Sequence, residues 1–468
     1  MEHSKKAIGF FVSLAFLVLG YFSFATKQIE PFADFALLEW QMKLAGQGIF
    51  HLPYQHLLED PEFLFFPLPE IFFHIHNGLV YSTFPNLYPI LFSPFYLGFG
   101  IMGVKLAQIL LFFLSIYLFH LIQKDDISTI LLLFGSSISI YIFLIHETIF
   151  FFFLEIIILY FYHRKWSILS GVLSICLVWM RPEMIFAIFF LPFCFPKEWE
   201  WKRFVGACVI TGALFAIINQ ITLGTFLPLR VLKNSAFQFR PELSLYLLKI
   251  WIEQVPIFVL FVFYLGKSIV RKEFLFRNLF LISLTIAIMI ISPNTGGHNT
   301  PRYLFGLIPL YALTFRYKEK NKEGTPKIWI LVCLIISFYQ INVIFQQTKE
   351  LKKISKFQTN TIQELKTVDD SILVFNNSDF AFVALPLLEQ KKDLLLLRSD
   401  YPKETFFRIL DSKNTKSFSF LELPPSPFSL GETLSLSNCK KDCEFQKNAT
   451  WQLPAALLPI TTTSYQRK

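Results

Sequence analysis

The sequence predicts an α-helical polytopic membrane protein with about eleven transmembrane helices and a small C-terminal extracytoplasmic α/β domain. Three observations predict it. The 468 residues are 54% hydrophobic and only 16% charged, too apolar for a water-exposed surface of that length. Apolar runs recur with short polar connections as far as residue 345. From about residue 348 the pattern changes to short strand-like runs separated by helix-compatible segments.

The first run, Ala7 to Ala25, follows Lys5 and Lys6 and ends in a cleavage-like "SFA". It is long enough to span a bilayer and many spans follow, which favours an uncleaved first helix over a signal peptide. Further spans are expected at 104–122, 127–145, 149–162, 167–180, 183–196, 204–220, 247–266, 278–292, 303–316 and 327–345. With the N-terminus cytoplasmic, every inside loop is basic, from Lys124 and Arg164-Lys165 to Arg271-Lys272 and the Lys318–Lys327 group. Counting 88–103 as another span would put these clusters outside, so that segment reads as a re-entrant or interfacial helix.

Two domains are expected: 1–347 in the membrane, with 26–103 as a long extracytoplasmic first loop, and 348–468 outside. In the loop, Asn77-Gly78 between two β-compatible runs signals a type I′ hairpin. In the tail, "SILVFNN", "DLLLLRS" and "SFSFLEL" read as strands with helices at 379–390 and 402–412, a β-α-β-α-β core without a Gly-rich phosphate loop. Asn376 and Asn448 lie in glycosylation sequons, a weak pattern.

The net charge of +9 raises nucleic acid as a partner. The basic residues are scattered among loops, however, which speaks against a nucleic-acid surface. Cys176, Cys194, Cys208 and Cys333 lie in apolar runs and read as inert. Cys439 and Cys443, in "CKKDC", would close a small disulfide loop if the tail is outside the cytosol. His74 and His76 alternate along a predicted strand, but without a carboxylate at fixed spacing they make a weak zinc site.

With this topology the unusual polar residues fall at outer helix ends. They are Asp34 and Glu39, His146-Glu147, Arg181 and Glu183, Asn219, Arg230 and Lys233, and His298 with Arg302. Charge at mid-bilayer is costly, so acids and bases converging at interfacial depth suit a reaction site open to water and lipid. A carboxylate such as Asp34 can take the proton of an attacking hydroxyl. Arg302, Arg230 or Lys233 can stabilise a departing phosphate, the arginines through a bidentate fork. A carrier or flippase of lipid-linked saccharides, and a non-catalytic membrane scaffold, are the competing classes.

The order of these features resembles the GT-C glycosyltransferases. It consists of an acid after the first helix, "NGLVYSTFPNLYPILFSPFYLGFG" in the first loop, an outer "HE", a central "RPE" and a late "GGHNTPRYLFGLIPLY". Within that group the chain is similar to the branch of protein O-mannosyltransferases and lipid A aminoarabinose transferases, over about residues 8–345. The resemblance implies an inverting transfer from a polyprenyl-phosphate sugar to a hydroxyl of a protein or glycolipid acceptor, on the periplasmic face of a bacterial inner membrane. It implies Asp34 as general base and Glu147 as second acid, with His146, Arg181, Arg230, Lys233, His298 and Arg302 binding substrate. Phe35 stands where many relatives have a second acid, and "FPNLYP" replaces a "PPG". That leaves no certain cofactor and the need for a divalent cation open.

Overall fold

The computed structural model describes residues 2–25, 29, 31–194, 200–233, 240–272, 274–292, 301–315, 327–398, 401–423, 444–453 and 460–468. The chain divides into two compact units, Met1–Gln28 with Phe95–Leu351, and Ile29–Pro94 with Lys352–Lys468.

The first unit is helical. Three helices are long and apolar enough to cross a membrane: Leu87–Gln123, Trp201–Leu223 and Ile328–Lys366. Two bent pairs raise the number to five if each is one span. Eleven spans are therefore not confirmed, and the reason is length. Ser167–Met180 has 14 residues, a rise of about 21 Å against a hydrocarbon core of about 30 Å. Thr148–His163 and Leu275–Ile291 are short in the same way.

The expected span 127–145 is a helix, Asp126–Phe134, bent by 56° into the 3-10 segment Ser137–Phe143. Its start is fixed by Asp125, whose carboxylate accepts from the Ser128 amide at 2.8 Å and hydroxyl at 2.6 Å. The expected span 247–266 breaks by 98° between Pro241–Gln254 and Pro256–Arg271. Pro256 cannot donate to the preceding turn, so the helix ends before it. The segment 303–316 is the 3-10 segment Arg302–Leu307 followed by the short helix Ile308–Thr314. Two helical arms meet at Gly100 (φ 61°, ψ −152°) within Leu87–Gln123, so the segment read as 88–103 runs on into 104–122 through a kink that glycine permits. At Gly171 a Cβ would lie 2.6 Å from the Phe204 carbonyl oxygen and 2.8 Å from the Ala207 Cβ. The close approach of Ser167–Met180 and Trp201–Leu223 thus depends on that missing side chain.

The second unit holds both sheets. In the first loop, β1 (Phe73–His76) and β2 (Leu79–Ser82) pair antiparallel, and Asn77 (φ 50°) and Gly78 (φ 72°) form the expected left-handed turn. The five-stranded sheet contains β3 (Ile372–Phe375), β4 (Asp393–Leu396), β5 (Ser417–Glu422), β6 (Phe445–Leu453) and β7 (Ile460–Arg467). Its order is β4-β3-β5-β7-β6, with β3 parallel to β4 and β5, and β7 antiparallel to β5 and β6. The three expected strands and their helices, Ser378–Val383 and Lys403–Ser412, are present, and the antiparallel pair β6-β7 extends the expected core.

All four residues of β3 are buried, because both faces of the sheet are covered. Leu373 and Phe375 pack with Phe380 and Leu387 on one face, and Ile372 and Val374 with Phe406 and Ile409 on the other. Phe65, from the first loop, belongs to the second cluster, and its carbonyl accepts from the Leu396 amide at 3.0 Å. The Arg398 guanidinium donates to the carbonyls of Leu64, Phe66 and Leu68 at 2.5–2.8 Å. Burial lowers its pKa, opposed by the Glu70 charge. These contacts explain why Ile29–Pro94 groups with the tail, whereas the sequence reading attached it to the helical domain. Asn376 is 1% exposed and bonded to Leu423, so its sequon is inaccessible in the fold, while Asn448 is exposed.

Candidate functional site

In the helical unit, five of the eight predicted site residues converge. The Thr148–His163 helix begins just after Glu147, where a carboxylate faces the positive end of the helix dipole. The segment before it is held by Gln108, whose amide donates to the Leu144 carbonyl at 2.8 Å. Glu147 is fully buried, and its Oε1 lies 2.6 Å from Nη2 of Arg230 and 3.5 Å from Nε of Arg181. Arg230 also donates to the Met180 carbonyl at 2.9 Å. Arg181, 3% exposed, reaches Glu183 at 3.5 Å and lies over the rings of Phe151 and Tyr303. Oε2 of Glu147 has no hydrogen-bond partner among the described residues.

His146, also fully buried, lies 3.0 Å through Nε2 from Nη1 of Arg302 and 2.7 Å through Nδ1 from the Thr148 hydroxyl. A guanidinium only donates, so Nε2 faces Arg302 as an acceptor, with Thr148 at the other ring nitrogen. The Thr148 amide also lies 3.2 Å from Nδ1. The Tyr141 ring packs on the imidazole at 4.9 Å between centroids.

The approach to Arg230 is fixed from the Trp201–Leu223 helix. Asn219 accepts from the Trp179 indole at 3.4 Å and donates to the Leu227 carbonyl at 2.8 Å, just before the Leu229–Lys233 helix. Lys233 lies at the end of that helix, three residues after Arg230. His298, Cys439 and Cys443 lie outside the described residues.

Asp34 belongs to the other unit. It is 8% exposed and opens the helix Asp34–Gly46, and Ala33 before it has a positive φ of 47°. That conformation is strained for a residue with a Cβ.

The cluster carries three guanidinium groups against the carboxylates of Glu147 and Glu183, and Arg181 feels the charges of the other four. Its excess is positive, which suits an anion. A divalent cation fits poorly, because each carboxylate already has a guanidinium within 3.5 Å. Among the described residues no group of three or more His, Cys, Asp or Glu side chains is placed so that it could hold a metal ion, around His74 and His76 or elsewhere.

Sequence reasoning found the charged members but missed Tyr303, Phe151 and Thr148, which set the orientation of Arg181 and His146. Their adjacency to Arg302 and His146, or their place one helical turn on, was the only signal. No protein-family model matches the chain, and no curated protein matches it at a significant level.

Proposed function

We propose that the chain is a membrane glycosyltransferase that moves a sugar from a polyprenyl-phosphate donor to an acceptor hydroxyl at the extracytoplasmic, periplasmic face of a bacterial inner membrane. The single observation that carries the reading is the partly buried guanidinium-rich cluster at helix ends of an apolar unit. A lipid-linked phosphate is the anion a membrane-embedded protein of this kind meets, and its isoprenoid tail is soluble among the helices.

In this scheme the acceptor oxygen attacks the anomeric carbon, the bond from that carbon to the phosphate oxygen breaks with inversion, and Asp34 takes the hydroxyl proton. Arg302, with Arg230 and Lys233, holds the departing phosphate. Glu147 acts through the arginines: it fixes Arg230 and Arg181, and His146 orients Arg302. The acceptor is a protein or a glycolipid.

One observation favours a carrier of lipid-linked saccharides. Glu155, in the middle of the Thr148–His163 helix, is 4% exposed, and neither carboxyl oxygen has a hydrogen-bond partner among the described residues. Mass spectrometry of surface glycans separates the readings when a deletion strain is complemented with wild type or with Asp34→Asn. A sugar absent in the deletion and restored by wild type but not by Asp34→Asn supports transfer. Full restoration by Asp34→Asn removes Asp34 from the chemistry.

A further inference from the structure

The second unit contains a cavity of about 160 Å³ that the transferase reading does not use. Trp40, Tyr54, Gln55, Pro67, Glu389 and Asp393 are among its lining residues. From this lining we infer that the cavity binds one neutral pyranose ring of a glycan.

Size is the first argument. Pockets for drug-sized ligands run to roughly 300–1,000 Å³, so this one takes a single small ring. The second is charge. Two carboxylates would suggest a cation, but both already have partners. Lys43 lies 2.7 and 2.9 Å from the two oxygens of Glu389, and His56, fully buried, lies 2.6 Å from Oδ2 of Asp393. A further cation would compete with them, whereas a hydroxyl only adds to the remaining lone pairs.

The third argument is the pattern of polar groups. Gln55 accepts from Lys413 at 3.1 Å through its carbonyl oxygen, which aims the amide and leaves its two N–H donors without a partner among the described residues. Tyr54 donates to Asp60 at 2.7 Å, so its oxygen is left as an acceptor, and Oδ1 of Asp393 is another. Donors and acceptors fixed by second partners suit hydroxyls, which need both. Trp40 and Tyr54 give the lining an aromatic component, which suits the C–H side of a sugar ring; the Tyr54 ring is itself held by Phe63 and Phe66.

Saturation-transfer NMR on the full chain in nanodiscs tests this, with the methyl glycosides of mannose, glucose, galactose and N-acetylglucosamine as probes. At least one is expected to bind saturably in the millimolar range. Trp40→Ala and Asp393→Asn should each weaken it about tenfold or more. Gln55 is exposed, so Gln55→Ala keeps the fold and should cost about three- to tenfold. No saturable binding by any of the four glycosides overturns the inference, as does binding unchanged in Gln55→Ala. Binding of a tri-lysine peptide in place of the glycosides also overturns it, by making the cavity a cation site. The measurement needs no turnover, so its failure is distinct from failure of the transferase reading.

Discussion

Nη2 of Arg230 lies 2.6 Å from Oε1 of Glu147, a carboxylate with no solvent exposure, and Arg181 stands 3.5 Å from the same oxygen. One buried acid thus holds two guanidinium groups that arrive from different helices. Removing it would leave both cations without their common partner.

Glu147→Ala is therefore expected to destabilise the helical unit by about 3–5 kcal/mol, the cost of breaking a buried pair from one side. Glu147→Gln keeps the shape and loses the charge, and should fall between. Thermal unfolding of purified protein checks this. A loss below about 1 kcal/mol for Glu147→Ala would mean the pair is solvated.

Nε2 of His146 lies 3.0 Å from Nη1 of Arg302, which can only donate. His146→Phe should keep most of the packing against Tyr141 but release Arg302. Transfer should fall by about 10–100-fold, chiefly through weaker donor binding, with protein yield unchanged. Wild-type KM in this variant would show that the imidazole does not position the guanidinium.

Glu155 is buried without a hydrogen bond among the described residues. If the chain is a transferase, Glu155→Leu should stabilise it by about 1–3 kcal/mol, the desolvation cost removed, and leave transfer intact. A stable Glu155→Leu variant that has lost transfer would contradict this and give the buried acid a part in the reaction.

Tyr54 is mostly buried beside the Asp60 carboxylate, and burial first, then that charge, raise its pKa above the ordinary value. The unfolded phenol ionises near pH 10. A raised folded pKa stabilises the fold fully below that pH, and the contribution is lost as pH rises above it. Unfolding of the second unit, followed by hydrogen exchange in β3 and β4, should steepen above about pH 10 in wild type and flatten in Tyr54→Phe. At neutral pH the same variant should cost about 1 kcal/mol, because Asp60 loses one donor but keeps the Leu64 and Phe65 amides. An unchanged alkaline limb would contradict it.

Much of this was legible in the sequence where period or local chemistry decides. Asn77-Gly78 gave its turn, the unbroken apolar run Ile372-Leu373-Val374-Phe375 a strand, and 167–180 its helix. Apolar length alone could not reveal the bend at Pro256 or the 56° break after Phe134, since hydropathy is insensitive to direction. The place of Phe65 in the sheet's core was also illegible, because a single residue of an irregular loop has no period. In the site, the five charged or imidazole residues stood out as polar islands in apolar runs, whereas Tyr303 and Phe151 looked like any other aromatic in a Phe-rich chain.

The central claim is that the guanidinium-rich cluster holds the phosphate of a lipid-linked sugar during transfer. Its most direct measurement is release of label from a radiolabelled polyprenyl-phosphate sugar in membranes containing wild type or Arg302→Ala. The account predicts label in an acceptor with wild type and a loss of about 100–1,000-fold with Arg302→Ala. Equal transfer by both proteins at equal expression would contradict it.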